Sequence, residues 1–397
     1  MILNEEEPRK SFKNSFYESL SPVINSSKNI WIIDKFDLFV FSVHFSVFLL
    51  FWLITLISGE FFIPLEYWDG PNYVYVAKTL YNIPFNNPWS RHFHYPKYYF
   101  ACHLPGFPLV IRFFAFITFN SYWFGDILAI LFCSSLSIYS FRRLLTVFDC
   151  VEDPKWTTIL YLCIPIRNVL YHCVGASEPL FLSYCYLSFI FYKINKRFLM
   201  LLALCGACMT RIEGLAIVGT IGLCYLLRFD ILGGLITSLS LSIYAALLYI
   251  HQKMFGTYKA YFKFNYGLIR LQPFYAFHDY SKKLELIPHL NSILMLDFVM
   301  LGGTLILYTI SIPMAIFATV YLIYSSMLVH DDVYRYILPG YILALLIGYD
   351  SIWSNPVFKK YSYFPLIFYT IIMSEYSLCH LISNCSTYEF FLEVMRS

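Results

Sequence analysis

Residues 37–58 read DLFVFSVHFSVFLLFWLITLIS, and residues 59–73 follow as GEFFIPLEYWDGPNY. The first stretch has about 20 almost uninterrupted apolar side chains, enough for an α-helix to cross the hydrocarbon core of a bilayer. It starts too late and runs too long for a removable secretory signal, so it reads as a retained anchor. The second stretch turns polar and aromatic at once, with Glu66, Trp68, Asp69 and Asn72 around a Gly-Pro turn. An anchor that opens directly onto a polar segment at the membrane surface sets the reading of everything that follows.

Composition extends the same reading to the whole chain. Of its 397 residues, 59% are hydrophobic, 20% aromatic and only 13% charged. A soluble domain carries about 45–50% apolar and about 25% charged residues, so the solvent for most of this chain is lipid. The net charge of +3 is too small for a nucleic-acid surface, and no basic run is interleaved with aromatics in a polar context. Cys133, Cys163, Cys205, Cys208 and Cys224 lie in apolar runs, where a thiol behaves as a small hydrophobe, and no Cys/His spacing of a zinc site occurs.

Counting apolar stretches predicts an all-α polytopic membrane protein with about eleven transmembrane helices, at 37–58, 122–141, 157–173, 178–192, 198–210, 213–228, 231–251, 293–311, 313–329, 336–350 and 362–383. Residues 1–36 form a polar tail. Arg142, Arg143, Lys193, Lys196, Arg197, Arg228, Lys359 and Lys360 all fall on one side if the spans alternate and the tail is cytoplasmic. That alternation requires 104–119, with Arg112 in its middle, to lie in the membrane surface as an interfacial helix and not to cross. Two long segments, 59–121 and 252–292, then face the lumenal side. Spans two to seven occupy 122–251, and the last four fall within 293–397. No internal repeat of the kind that builds transporters is evident.

Polar side chains interrupt the apolar text at a few places, all on the lumenal side. Asp69 beside Trp68 has one apolar wall, a setting that raises a carboxylate's proton affinity and suits a general base. A helix cap before Pro71 explains the same aspartate. Arg91, His92, His94, Lys97 and His103 suit phosphate binding or lipid headgroups better than a metal, because their spacing matches no zinc pattern. Ser177 and Glu178 stand where a helix begins, as a cap and first-turn acid would. Arg211 and Glu213 interrupt a long apolar run and either pair with each other or serve a site. Arg335, after His330, Asp331 and Asp332, offers a planar fork to an anion unless a neighbouring aspartate takes it.

Taken in order, Trp68-Asp69-Gly70-Pro71-Asn72-Tyr73, Leu104-Pro105-Gly106-Phe107-Pro108, Ala176-Ser177-Glu178-Pro179, Thr210-Arg211 and Tyr334-Arg335-Tyr336-Ile337-Leu338-Pro339 resemble the integral-membrane glycosyltransferases that use polyprenyl-phosphate sugars, the GT-C superfamily. Within it they are most similar to the second GPI mannosyltransferase and its bacterial relatives, over about 60–350. The chain departs from the pattern at His103-Leu104, where a Phe is usual, and at Asn265 and Tyr266, where Gln and Trp are expected. The resemblance implies a GT-C fold and transfer of mannose from dolichyl-phosphate mannose to a GPI precursor as its second mannose, with inversion. It implies Asp69 as base or acceptor-orienting group, and Trp68, Arg91, His103, Glu178, Arg211 and Arg335 as substrate-binding residues. No cofactor and no metal are implied. Membrane lipids are further partners, nucleic acid is not, and a small membrane partner subunit is compatible. The implied location is the endoplasmic reticulum membrane, or the inner membrane if the source is prokaryotic. Two other readings use the same features: a polyprenyl-phosphate-sugar transferase with another glycolipid or protein acceptor, and a multispanning transporter or lipid-binding scaffold.

Overall fold

The computed structural model describes residue 20 and residues 28–397 apart from 58, 60, 61, 271, 283–285 and 331. Most of the predicted tail and Asp331 therefore lie outside the described residues. The helices in chain order are α1 (Lys35–Ile57), α2 (Ile63–Glu66), α3 (Gly70–Thr79), α4 (Pro88–His92), α5 (Gly106–Ile117), α6 (Tyr122–Phe148), α7 (Pro154–Cys163), α8 (Ile166–Tyr171), α9 (Glu178–Lys193), α10 (Arg197–Thr210), α11 (Gly214–Leu227), α12 (Ile231–Leu239), α13 (Ser242–Phe255), α14 (Ala260–Phe264), α15 (Tyr275–Ser281), α16 (Ile287–Ile310), α17 (Ile312–Ser325), α18 (Val333–Ile342), α19 (Asp350–Trp353), α20 (Pro356–Ser383) and α21 (Tyr388–Arg396). A π-helical turn, Leu343–Gly348, continues α18. No strand occurs among the described residues; two isolated bridges join loops.

The chain has the character of a polytopic membrane protein. On α1 the inward residues Asp37, Val40, His44, Phe48, Phe51 and Thr55 recur at helical spacing, while Leu38, Phe39, Phe45, Leu49, Leu53 and Ile57 stand exposed. A helix whose outer face is its more apolar one is built for lipid, because water would leave that area as an aggregation site. Among the described residues, four helices are long and apolar enough to cross a membrane, α1, α6, the α12–α13 unit and α16, and a fifth if the two halves of bent α20 count as one span. The other predicted spans fold as shorter helices. Helix α10, for example, has 14 residues, and at about 1.5 Å per residue it falls short of a ~30 Å core. Pro165 divides the predicted span 157–173 into α7 and α8.

Two further features position the segment that follows α1. Residues 59–121 share an aromatic core with the C-terminal helix: Trp89 packs against Tyr75 with ring centroids 4.9 Å apart and against Phe390 at 5.0 Å. Arg112 does not stand free on α5 but donates to the carbonyls of Ala77 at 2.7 Å and Lys78 at 3.1 Å, closing the C-terminus of α3. At the opposite end of the bundle, Arg142 and Arg143 lie within α6 instead of in a loop. They are buried against Asp34 and Asp37 at the start of α1, with Arg142 2.7 Å from Asp34.

Gly106 opens α5 directly against α10. A Cβ there would lie 2.8 Å from Thr210 Cα and 2.9 Å from its N, and backbone cannot swing aside as a flexible side chain can. Gly106→Ala is therefore expected to push α5 off α10 and cost about 1–3 kcal/mol, seen as a lower thermal unfolding midpoint in detergent. An unchanged midpoint would show that the contact yields freely.

Candidate functional site

The site starts from a turn. After α2, Tyr67 pairs with Cys385, Trp68 N–H donates to Asn384 O at 3.1 Å, and Ser386 N–H donates to Glu66 O at 3.0 Å. Trp68 adopts a left-handed conformation, φ 43°, which turns the chain and delivers Asp69 to the head of α3. Gly175 then lets the segment before α9 approach closely, since a Cβ on it would lie 3.0 Å from Gly70 Cα. Carboxylates remote in sequence, Asp69 and Glu178, thereby face the same cations.

Arg335 joins them. Its Nη1 donates to Asp69 Oδ2 at 2.6 Å, and its Nε to Glu178 Oε1 in a very close contact. Glu178 also accepts from Arg211 Nη1 at 2.5 Å, while Arg211 Nη2 and Nε reach the two oxygens of Glu213 at 3.0 and 3.3 Å. His103 Nε2 stands 3.3 Å from Asp69 Oδ1, and Asn72 Nδ2 donates to the same oxygen at 3.3 Å. Asp69, His103, Glu178, Arg211 and Arg335 thus form one connected cluster. It borders a cavity of about 400 Å³ walled by Trp68 and by Tyr95, Tyr99, Tyr261, Tyr324 and Tyr336.

Helix capping explains neither acid-bearing segment. Asp69 and Ser177 occupy N-cap positions without a side-chain cap bond; Ser177 Oγ instead meets the Tyr73 hydroxyl at 2.9 Å. Among the described residues, Arg211 does pair with Glu213, yet shares Glu178 with Arg335. Asp332 is engaged elsewhere, by Tyr171 OH at 3.2 Å and by Arg167 at 3.5 Å.

Two expectations need correction. Arg91 lies away from the cavity, paired with Glu393 of α21 beside His92, and its side chain is 47% exposed. The reason is the local aromatic core, which directs α4 toward the C-terminal helix. An exposed pair of this kind contributes at most about 1 kcal/mol, so Arg91→Ala is expected to shift the unfolding midpoint little and leave ligand binding in the cavity unchanged. The second concerns proton affinity. Burial alone would raise the Asp69 carboxyl, but the Arg335 charge and the His103 hydrogen bond outweigh it and hold it below the usual carboxylate range. Asp69 is an ionised, oriented acceptor in this state, not a poised base.

Tyr99 and Cys102 line the cavity with no sequence signal of their own. Asn72 also donates to Tyr99 OH at 3.0 Å, and Asn265 donates to Cys102 Sγ at 3.2 Å. Asn265 places an amide on that wall. Among the described residues, no three His, Cys, Asp or Glu converge as metal ligands. Comparison with protein-family models, curated proteins and solved structures returns no match. Function is therefore argued from the site.

Proposed function

We propose that this protein is a GT-C type glycosyltransferase that moves mannose from dolichyl-phosphate mannose to a GPI precursor, adding the second mannose with inversion in the endoplasmic reticulum membrane. The observation that carries the reading is the direct contact of Asp69 with Arg335 at the wall of an aromatic cavity beside a lipid-facing bundle. Inversion needs one carboxylate behind the acceptor hydroxyl and cationic charge at the leaving phosphate. Asp69 answers the first need, and Arg335 with Arg211 the second. The acceptor oxygen attacks the anomeric carbon, the bond from that carbon to the phosphate oxygen breaks, and dolichyl phosphate leaves with the electron pair. The hydroxyl proton passes to Asp69.

The ion pairs of the free protein give this scheme an order. While Arg335 holds Asp69, the carboxylate is a weak base. Donor phosphate competing for the guanidinium relieves Asp69 of its counter-charge and raises its proton affinity where the acceptor arrives. Aromatic walls suit a sugar face, which stacks on rings while its hydroxyls find the polar rim. The test is transfer by the purified protein from labelled dolichyl-phosphate mannose to a one-mannose GPI intermediate. Transfer to a different glycolipid or to peptide would redirect the acceptor assignment, and no transfer with any acceptor would remove the enzymatic reading.

A further inference from the structure

A second cavity, larger at about 670 Å³, lies away from Asp69 between α7, α18 and α20. Its walls are apolar and aromatic, with Leu160, Leu338, Tyr341, Leu366 and Tyr369 among them, and Arg167 is its one charged lining residue among those described. The slot coincides with a break in α20, whose halves Pro356–Leu366 and Phe368–Ser383 are bent by 43°. Pro365 on its wall accounts for the bend, since proline removes a helical donor and crowds the preceding turn.

Arg167 is incompletely paired. Its Nη2 reaches Asp332 only at 3.5 Å, and its Nη1 makes no hydrogen bond with any described residue. Tyr171, on the same short helix, binds Asp332 at 3.2 Å and lies 5.9 Å from the Arg335 guanidinium. The charged end of the apolar slot thus abuts the Asp69 cluster. A guanidinium with spare donors at the end of a hydrocarbon-lined slot is complementary to a lipid whose headgroup carries a phosphate.

Two lipids meet in the proposed reaction, and bonding distinguishes them. In the donor the phosphate is attached to the reacting carbon, so it must lie within the Asp69 cluster, on Arg335 and Arg211. Arg167 is separated from Asp69 by Asp332, Tyr171 and Arg335, which suits a phosphate remote from the reacting hydroxyl. Resting on the glycosyltransferase reading, we infer that the slot between α7, α18 and α20 holds the hydrocarbon of the phosphodiester glycolipid acceptor, with its phosphate on Arg167.

The probe is phosphatidylinositol with a photoactivatable group in one acyl chain, applied to the full chain in detergent. Labelling is expected on α18 and α20 within the slot, displaced by unlabelled phosphatidylinositol and not by dolichyl phosphate. Arg167→Gln should weaken it about tenfold, the effect of losing one charge-assisted hydrogen bond, with partial recovery in Arg167→Lys. Leu366→Trp, which fills the slot and leaves Arg167 in place, should block it. Labelling that survives both variants, maps elsewhere or yields equally to dolichyl phosphate would overturn the inference. Because labelling needs no turnover, slot labelling without mannose transfer would sink the enzymatic reading alone. Transfer with labelling insensitive to both variants would sink the slot alone.

Discussion

Asp69→Asn should reduce mannose transfer by about 10²–10⁴-fold, the range lost with a positioned general base. The amide preserves size and can still accept from Asn72, but it carries no charge for Arg335 and takes no proton from the acceptor. Its side chain is 23% exposed at the cavity wall, so the substitution should leave membrane insertion and detergent-solubilised yield unchanged. Single-turnover transfer from labelled donor, compared with donor binding measured separately, distinguishes lost chemistry from lost affinity. Full activity in both Asp69→Asn and Asp69→Ala would remove this residue from the mechanism. The pH dependence carries a sign that checks the electrostatics independently. Arg335 and His103 depress the carboxyl in the folded protein, so its contribution to stability is present above the ordinary aspartate value of about 3.9 and is lost as pH falls below it. An acid limb of the free enzyme assigned to Asp69 should lie below that value; a limb near neutral pH would have to come from another group.

What could be read in advance divides along a physical line. The helical character of the chain was legible in runs such as 37–58, because a bilayer demands long apolar segments whatever their neighbours. The separate polar boxes were legible for the complementary reason: Glu178, Arg211 and Arg335 are too costly in lipid to stand there without partners. Their pairing was not legible. Glu178 bridges two arginines because Gly70 meets Gly175 and Gly106 meets Thr210, and such close approaches depend on packing remote in sequence. Span lengths failed in the same way. Hydropathy runs through Pro165 and the α12–α13 break without registering them, since composition is insensitive to where a helix stops, whereas the charged residues after Thr210 do mark the end of α10. Arg91 looked like a site residue because it neighbours His92 and His94, yet α21, some 300 residues later, captures it. The sign of the proton-affinity shift at Asp69 is set by Arg335, 266 residues away, and by His103, and the local sequence around Asp69 shows neither.

Glu178→Ala should be the most destabilising single change at the site. The carboxylate is 4% exposed and holds Arg335 and Arg211, which are 9% and 10% exposed. Removing one partner of a buried ionic network leaves desolvated charge behind, and the cost of that is about 3–5 kcal/mol. Here the remaining compensation is unequal: Arg211 keeps Glu213, whereas among the described residues Arg335 is left with Asp69 as its one carboxylate partner. Arg335 should therefore bind Asp69 more tightly in the variant, so any transfer that survives should be slower than the loss of folded protein explains. Glu178→Gln retains an acceptor oxygen and should fall between the variant and the parent. Glu213→Gln should cost less than Glu178→Ala, because Arg211 retains its Glu178 contact. Thermal unfolding in one detergent, with the three variants side by side, reads this order directly. A Glu178→Ala protein within about 1 kcal/mol of the parent would mean that water reaches both guanidinium groups, and the shared-carboxylate description of the cluster would then be wrong.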